Sequence, residues 1–179
     1  MIYKNFWITL LALMYSFLAL GDNYTNTNSS NNEYKYWYNA DSTKIVFRYL
    51  CVNDSISQFQ YNYKNNFVDC DAASNPGLKD YIREESYKKF TKYKRFIVNK
   101  ELLKQEEYEV SGVYCFIVLL NHKQKVKDVQ IITRHTSCDN MYNFDEWIKY
   151  VVKNTSGWQL KDNNKKWHIY FGTISFRVG

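Results

Sequence analysis

The sequence predicts a secreted α+β domain with a mostly antiparallel sheet of five or more strands and two helices, stapled by two disulfides. Three observations support this fold class. Aromatic residues make up 18% of the chain, including 17 tyrosines against a single proline, and half-buried strands favour such residues. Apolar residues alternate along several short segments and repeat at helical spacing along two others. Four cysteines follow an export signal, and an even number in an exported chain is typical of disulfide pairs.

The first 21 residues, Met1–Gly21, are predicted to be a cleaved signal peptide. Lys4 supplies the positive charge, Phe6–Leu18 supplies a short apolar run, and Ala19 and Gly21 are small residues at the cleavage site. The apolar run is shorter than the span of about 20 residues that a membrane helix needs. We therefore expect an extracellular protein with no membrane span after cleavage.

An Asn/Ser/Thr-rich leader, residues 22–33, separates the signal from the domain. Tyr24 is its one apolar residue, so burial cannot offset the entropy of ordering it, and we expect disorder. The rest of the chain, residues 34–179, is long enough for a single domain with its own core.

Four N-glycosylation sequons begin at Asn23, Asn28, Asn53 and Asn154. They fall in the leader, in a predicted turn and at a predicted helix end, all of which are exposed positions. The sequence thus predicts a glycoprotein.

The cysteines are Cys51, Cys70, Cys115 and Cys138, and none belongs to the C-x-x-C pairs of structural zinc sites. Pairing of neighbours, Cys51 with Cys70 and Cys115 with Cys138, closes loops of modest length and is slightly favoured. A crossed pairing stays open.

The first half of the domain predicts a β-hairpin followed by a helix. Thr43–Val52 alternates, with Arg48 on the face opposite the apolar residues, and Gln58–Tyr63 alternates again after a turn. Asn75 is a candidate cap for a helix over about Pro76–Tyr87. The next segment, Tyr87–Phe96, fits either a helix or a strand.

The second half predicts a core hairpin, a helix and a last strand. Glu107–Leu120 is apolar on both faces, as a central strand is, and Val126–Thr133 returns beside it. A helix over Phe144–Lys153 has Asn143 as its cap. In the strand Lys166–Val178 the apolar residues change from odd to even positions, which predicts a β-bulge at Gly172.

No catalytic, cofactor or metal site is predicted. The chain has neither a G-x-S-x-G elbow nor a glycine-rich phosphate loop. His135 and His168 are candidates for acid–base cleavage of RNA if they share a cleft. A metal site at His135, Cys138 and Asp139 would require Cys138 to escape oxidation.

One basic stretch, residues 88–95, is a candidate contact for an anionic partner. If it is helical, Lys88, Lys92 and Arg95 share one face; if it is extended, its positive side chains alternate with Phe90 and Tyr93. Loss of Lys4 with the signal lowers the net charge of the chain from +6 to +5, which favours anionic partners when the charge gathers on one side. Export disfavours nucleic acid, and none is expected as a partner.

Two families resemble parts of the chain. Residues 109–118, coming after a helix, are similar to the glycine-bearing hairpin of cystatins, although the cystatin motif Q-x-V-x-G is not met. The strand-rich order with a helix before the last strand resembles the lipocalins, whose opening G-x-W is missing here; Tyr36-Trp37-Tyr38 supplies the tryptophan alone. The second resemblance implies a small apolar ligand, and neither assigns a functional residue.

These observations favour a non-enzymatic extracellular protein that binds an unidentified macromolecule through tyrosine-rich surface. A lipocalin-like small-ligand carrier is the second hypothesis and requires an apolar cavity. A secreted hydrolase or ribonuclease using His135 and His168 is the third.

Overall fold

The computed structural model of the chain describes residues 32–52, 55–87, 94–101, 110–136, 142–161 and 166–178. The predicted signal peptide and residues 22–31 of the leader lie outside these ranges. Within them, no helix combines the length and the apolar character that crossing a membrane requires.

The described elements are eight strands and two α-helices, with one 3-10 turn at Lys94–Phe96. In chain order they are β1 (Asn32–Tyr38), β2 (Ile45–Val52), β3 (Ser55–Tyr63), β4 (Asn66–Ser74), α1 (Leu78–Tyr87), β5 (Val110–Asn121), β6 (Val126–Thr136), α2 (Phe144–Lys153), β7 (Gln159–Leu160) and β8 (Trp167–Val178).

All eight strands belong to one mixed sheet with the order β1-β2-β3-β4-β8-β5-β6, and β7 pairs with β4 beside this path. β8 runs antiparallel to β5 but parallel to β4, where Asp71 lies opposite His168 and Ala72 opposite Ile169. The predicted fold class is therefore wrong in its sheet. The last strand enters the sheet between β4 and β5, and the chain that connects β4 to β8 includes both described helices and three further strands. A connection of this length permits the parallel pair, and no local sequence pattern encodes that position.

The predicted stapling by two disulfides is also wrong. Two disulfides would need at least one bond among Cys51, Cys70 and Cys115, and the structure has none. Cys51 and Cys70 lie on β2 and β4 with β3 between them, so their Cα atoms are at least two strand spacings, about 9.6 Å, apart. A disulfide needs Cα atoms within about 7 Å. Cys138 lies outside the described residues.

The two predicted helices are found, with one difference at the first. The predicted limits of α2 are confirmed, and the side chain of Asn143 accepts a hydrogen bond from the Glu146 N–H. α1 begins at Leu78. The buried Asn75 donates its side-chain amide to the carbonyl oxygen of Ser156 at 2.9 Å, so it ties the start of α1 to the chain after α2.

Both predicted hairpins are confirmed, β2 with β3 and β5 with β6. β1, β4 and the two-residue β7 were not predicted. β1 starts at Asn32, inside the segment assigned to the leader, and pairs with β2 along its length. β4 includes Asp69, Asp71 and two alanines, residue types that strands disfavour, so tertiary pairing overrides its local preference.

The sheet has a core on each side. On one side α1 and α2 cover β5, β6 and β8, and Trp147, Phe116 and Ile82 are among the buried residues. On the other side the sheet curls until β2 and β3 face β8. The ring of Phe171 lies 5.1 Å from that of Phe47 and 6.1 Å from that of Phe59. We call this second side the inner face.

The curl brings the first strands against β6, at the far end of the sheet order. The hydroxyl of the fully buried Tyr61 on β3 donates to the Asp128 carboxylate on β6 at 2.9 Å. In the β1–β2 turn, Ala40 N–H donates to the Ile131 carbonyl oxygen at 2.9 Å. Arg134 pairs with Asp41 of the same turn and with Asp145 of α2. These contacts hold β1, β2 and β3 over the inner face.

The predicted bulge at Gly172 is wrong, because the β5–β8 register runs without a shift from Val110 opposite Val178 to Asn121 opposite Trp167. The change of phase has another cause. Trp167, Ile169 and Phe171 occupy the positions that face the inner side, whereas Tyr170 and Ile174 belong to the helix-side core. Gly172 is required because the ring of Phe116 occupies the space of a side chain.

Gly172→Ala is expected to lower the free energy of unfolding by about 1–3 kcal/mol, because a Cβ atom there would overlap the Phe116 ring. Urea denaturation measures this change. Gly77→Ala is the matched control: its Cβ would come no closer than 4.0 Å to another side chain, and we expect a change within about 0.5 kcal/mol. Equal effects of the two substitutions would contradict the packing explanation.

Alkaline pH should destabilise the fold through Tyr61 and Tyr170. Burial, followed by the Asp128 charge, raises the pKa of Tyr61 well above 10.0, and burial raises that of Tyr170. Above about pH 10 the unfolded chain loses phenolic protons that the folded protein keeps, so the free energy of unfolding falls as pH rises. Each tyrosine contributes a slope of at most about 1.4 kcal/mol per pH unit, and it does so only between its pKa in the unfolded chain and its pKa in the folded protein.

Tyr61→Phe should remove the contribution of Tyr61 to the alkaline slope. At pH 8 it should also lower the free energy of unfolding by about 1–2 kcal/mol, because Asp128 loses a hydrogen-bond donor. Tyr36→Phe, at a 41% exposed tyrosine, is the control and should leave both quantities unchanged. Urea denaturation between pH 8 and 11 compares the three proteins. An unchanged alkaline slope in Tyr61→Phe would refute the assignment.

Candidate functional site

Strands β1–β4 have one side turned away from the inner face, and we call it the outer face. It presents a row of polar and aromatic side chains. Cross-strand register places Tyr36, Arg48, Gln60 and Asp69 opposite one another on four successive strands. None of these four residues is buried. The alternation of β2 puts the buried Phe47 and Tyr49 inward and leaves Arg48 on this exposed side.

Arg48 is held between two aromatic rings. Its guanidinium carbon lies 4.2 Å from the ring centre of Tyr34 and 4.0 Å from that of Phe67. Its Nε donates to the side-chain oxygen of Gln60 at 2.6 Å. A planar guanidinium suits such stacking, which combines cation–π attraction with contact area. Among the described residues, Gln60 is the one side chain that accepts a hydrogen bond from Arg48.

A small amide network extends this arrangement to β4. Gln60 Nε2 donates to Oδ1 of Asp69 at 2.7 Å, and Gln58 Nε2 donates to the same oxygen at 2.5 Å. Gln60 therefore connects Arg48 to Asp69, accepting from the first and donating to the second. These bonds order long side chains before any partner arrives, which lowers the entropy cost of recognition.

The structure separates the histidines proposed as an acid–base pair. His135 is exposed on β6 opposite Val113, whereas His168 is fully buried on β8 opposite Leu120. Val113 and Leu120 are seven positions apart on β5, about 23 Å at 3.3 Å per residue. The two imidazoles do not share a cleft, so this pair cannot carry out RNA cleavage.

The cavity that a small-ligand carrier would need is expected on the inner face, and aromatic side chains occupy that region. Phe171 contacts both Phe47 and Phe59, and Ile117 and Leu119 beneath them are fully buried. Aromatic rings thus lie where the carrier hypothesis requires open space.

The predicted anionic-partner residues are only partly described. Lys88 and Lys92 lie outside the described residues. Arg95 is exposed, and its guanidinium carbon lies 3.9 Å from the ring centre of Tyr150 on α2 and 4.6 Å from that of Phe96. Arg95 thus packs along the helix side of the domain.

Of the four sequons, only the last falls within the described ranges; Asn23, Asn28 and Asn53 lie outside them. Asn154 is exposed at the C-terminal end of α2, and its side-chain amide donates to the Tyr150 carbonyl oxygen at 2.7 Å. A glycan added there would project from a helix end.

The candidate metal set is not described in full, because Cys138 and Asp139 lie outside the described residues. Within the part of the chain that the structure describes, no three His, Cys, Asp or Glu side chains are grouped as metal ligands.

Sequence reasoning placed Arg48 on the face opposite the apolar residues of its strand but did not name it as a binding residue. Arg48 is visible as the charged residue of an otherwise apolar alternating strand. Tyr34 and Phe67 carry no comparable signal, because they come from β1 and β4, which local patterns did not predict.

Comparisons of the chain with protein-family models, with curated proteins and with solved structures found no match.

Proposed function

We propose that this chain is a secreted, non-enzymatic binding protein that recognises an extracellular protein partner through the outer face of β1–β4. The observation that carries the proposal is Arg48, stacked between Tyr34 and Phe67 and held by Gln60. Arginine and tyrosine are among the residues that most often dominate the binding energy of protein interfaces.

The chemistry of the site suits a partner that carries a carboxylate. The guanidinium N–H groups not used by Gln60 suit a carboxylate, which accepts two parallel hydrogen bonds from arginine. Tyr36, 41% exposed, and the half-buried Tyr34 offer apolar area beside the charge. An acidic side chain flanked by apolar groups on the partner would fit this surface.

The positions of the tyrosines support a binding role for some of them but not for all. Among described tyrosine side chains, four are buried: Tyr49, Tyr61, Tyr114 and Tyr142. These four stabilise the fold. The tyrosines of the outer face are not among them, so a recognition role rests on Tyr34 and Tyr36 rather than on tyrosine content as a whole.

Arg48→Ala is expected to weaken partner binding by about 2 kcal/mol or more, roughly thirtyfold. The mature protein is immobilised, proteins captured from extracellular fluid are quantified by mass spectrometry, and the enriched partner is purified and titrated. Arg83→Ala is the matched control, since Arg83 is an exposed arginine on α1.

The proposal requires a partner whose binding depends on Arg48 and not on Arg83. Thermal unfolding of each variant separates loss of contact from loss of fold. A partner that binds both variants equally would show that the Tyr34–Arg48–Phe67 stack serves the sheet alone.

A further inference from the structure

A second surface, at one end of the sheet, gathers positive charge from three separate segments. Lys64 lies in the β3–β4 turn, His122, Lys123 and Lys125 lie in or beside the β5–β6 turn, and Lys166 directly precedes β8. All five side chains are exposed. We call this surface the lysine end; it contains none of the residues of the outer-face site.

Backbone and ring contacts bring the three segments together. The N–H of His122 donates to the Lys166 carbonyl oxygen at 3.1 Å. The ring of Trp167 lies 5.1 Å from that of Tyr63. The ammonium of Lys166 lies 5.7 Å from the Trp167 ring centre, and that of Lys64 lies 5.5 Å from the Tyr63 ring centre.

The two turns are fixed in shape. Asn121 Oδ1 accepts hydrogen bonds from the N–H groups of Lys123 at 3.1 Å and Lys125 at 3.0 Å. Lys64 and Asn65 have φ values of +52° and +66°, the left-handed pair typical of a tight hairpin turn. The backbone therefore displays these lysines at set positions, and only their side chains have to be ordered on binding.

Little negative charge opposes this surface. The described residues of the three segments, 63–66, 121–125 and 166–167, include no carboxylate. On β6, Asp128 directs its carboxylate to the Tyr61 hydroxyl in the interior. None of the ion pairs of the described residues involves a lysine of this end. A polyanion would meet several ammonium groups at once.

The type of polyanion follows from what the surface lacks. Membrane surfaces favour exposed apolar anchors, and the exposed large apolar residues of the described chain, Tyr36, Val98 and Val113, lie elsewhere. Single-stranded nucleic acid favours open aromatic faces for stacking, whereas Trp167 and Tyr63 contact each other and neighbouring lysines. Lysine ammonium groups are compact point charges, which suit separate sulfate groups along a flexible chain.

We propose that the lysine end binds a sulfated polysaccharide. The Lys64, Lys125 and Lys166 ammonium groups pair with its sulfates, one from each segment. The lysine end is separate from the outer face, so the binding role of one surface can be refuted without affecting that of the other.

The test measures binding of the mature chain to a size-defined heparin oligosaccharide by calorimetry at several salt concentrations. The triple variant Lys64→Gln, Lys125→Gln, Lys166→Gln should bind at least about tenfold more weakly, a loss of about 1.4 kcal/mol. The dependence of log Kd on log salt concentration should also become shallower, because fewer counterions are exchanged.

The matched control carries Lys79→Gln, Lys100→Gln and Lys153→Gln, three exposed lysines on or beside the helices, and should stay within about twofold of the unmodified chain. Equal losses in the two triple variants would show an effect of net charge alone and overturn the site. So would tighter binding to phosphatidylserine vesicles or to a single-stranded oligonucleotide than to heparin. A third variant carries Lys88→Gln, Lys92→Gln and Arg95→Gln. If this variant loses affinity for heparin and the Lys64, Lys125, Lys166 variant does not, the assignment to the lysine end is overturned.

Discussion

The fold depends on the position of β8 inside the sheet. β8 pairs with β5 over twelve residue pairs and with β4 over two, and within the described chain it is the strand that hydrogen-bonds to both halves. Its inner-facing residues pack under β2 and β3, and its other side packs on the helix-side core. Removing the pairing on either side would leave two partial sheets, each with an exposed apolar surface.

The curl that β8 supports also creates both candidate surfaces. Because Phe47 and Phe59 turn inward onto Phe171, the alternate residues of β2 and β3 turn outward and assemble around Arg48. The same packing sets Tyr63 against Trp167, which brings Lys64 towards Lys166. The positions of the candidate binding residues thus follow from how side chains pack on the inner face.

Local sequence patterns predicted the helices and hairpins, whose formation depends on residues close together in the chain. The Asn143 cap and the helical spacing gave α2 its limits, and alternation gave two hairpins. The order of strands depends on contacts between residues far apart, such as Asp71 with His168, and no local pattern carries it. The disulfide prediction failed because it was drawn from cysteine number and expected compartment, whereas bonding depends on Cα separation.

The parallel contact between β4 and β8 has a consequence for how the molecule reaches its native state. Residues nearly one hundred positions apart must meet before the sheet is complete, and folding slows as such distant contacts come to dominate. Until then β4 and β5 each present a bare edge with unsatisfied N–H and C=O groups, which is a template for pairing with other chains. Slow insertion of β8 between β4 and β5 would therefore favour aggregation of the incomplete sheet.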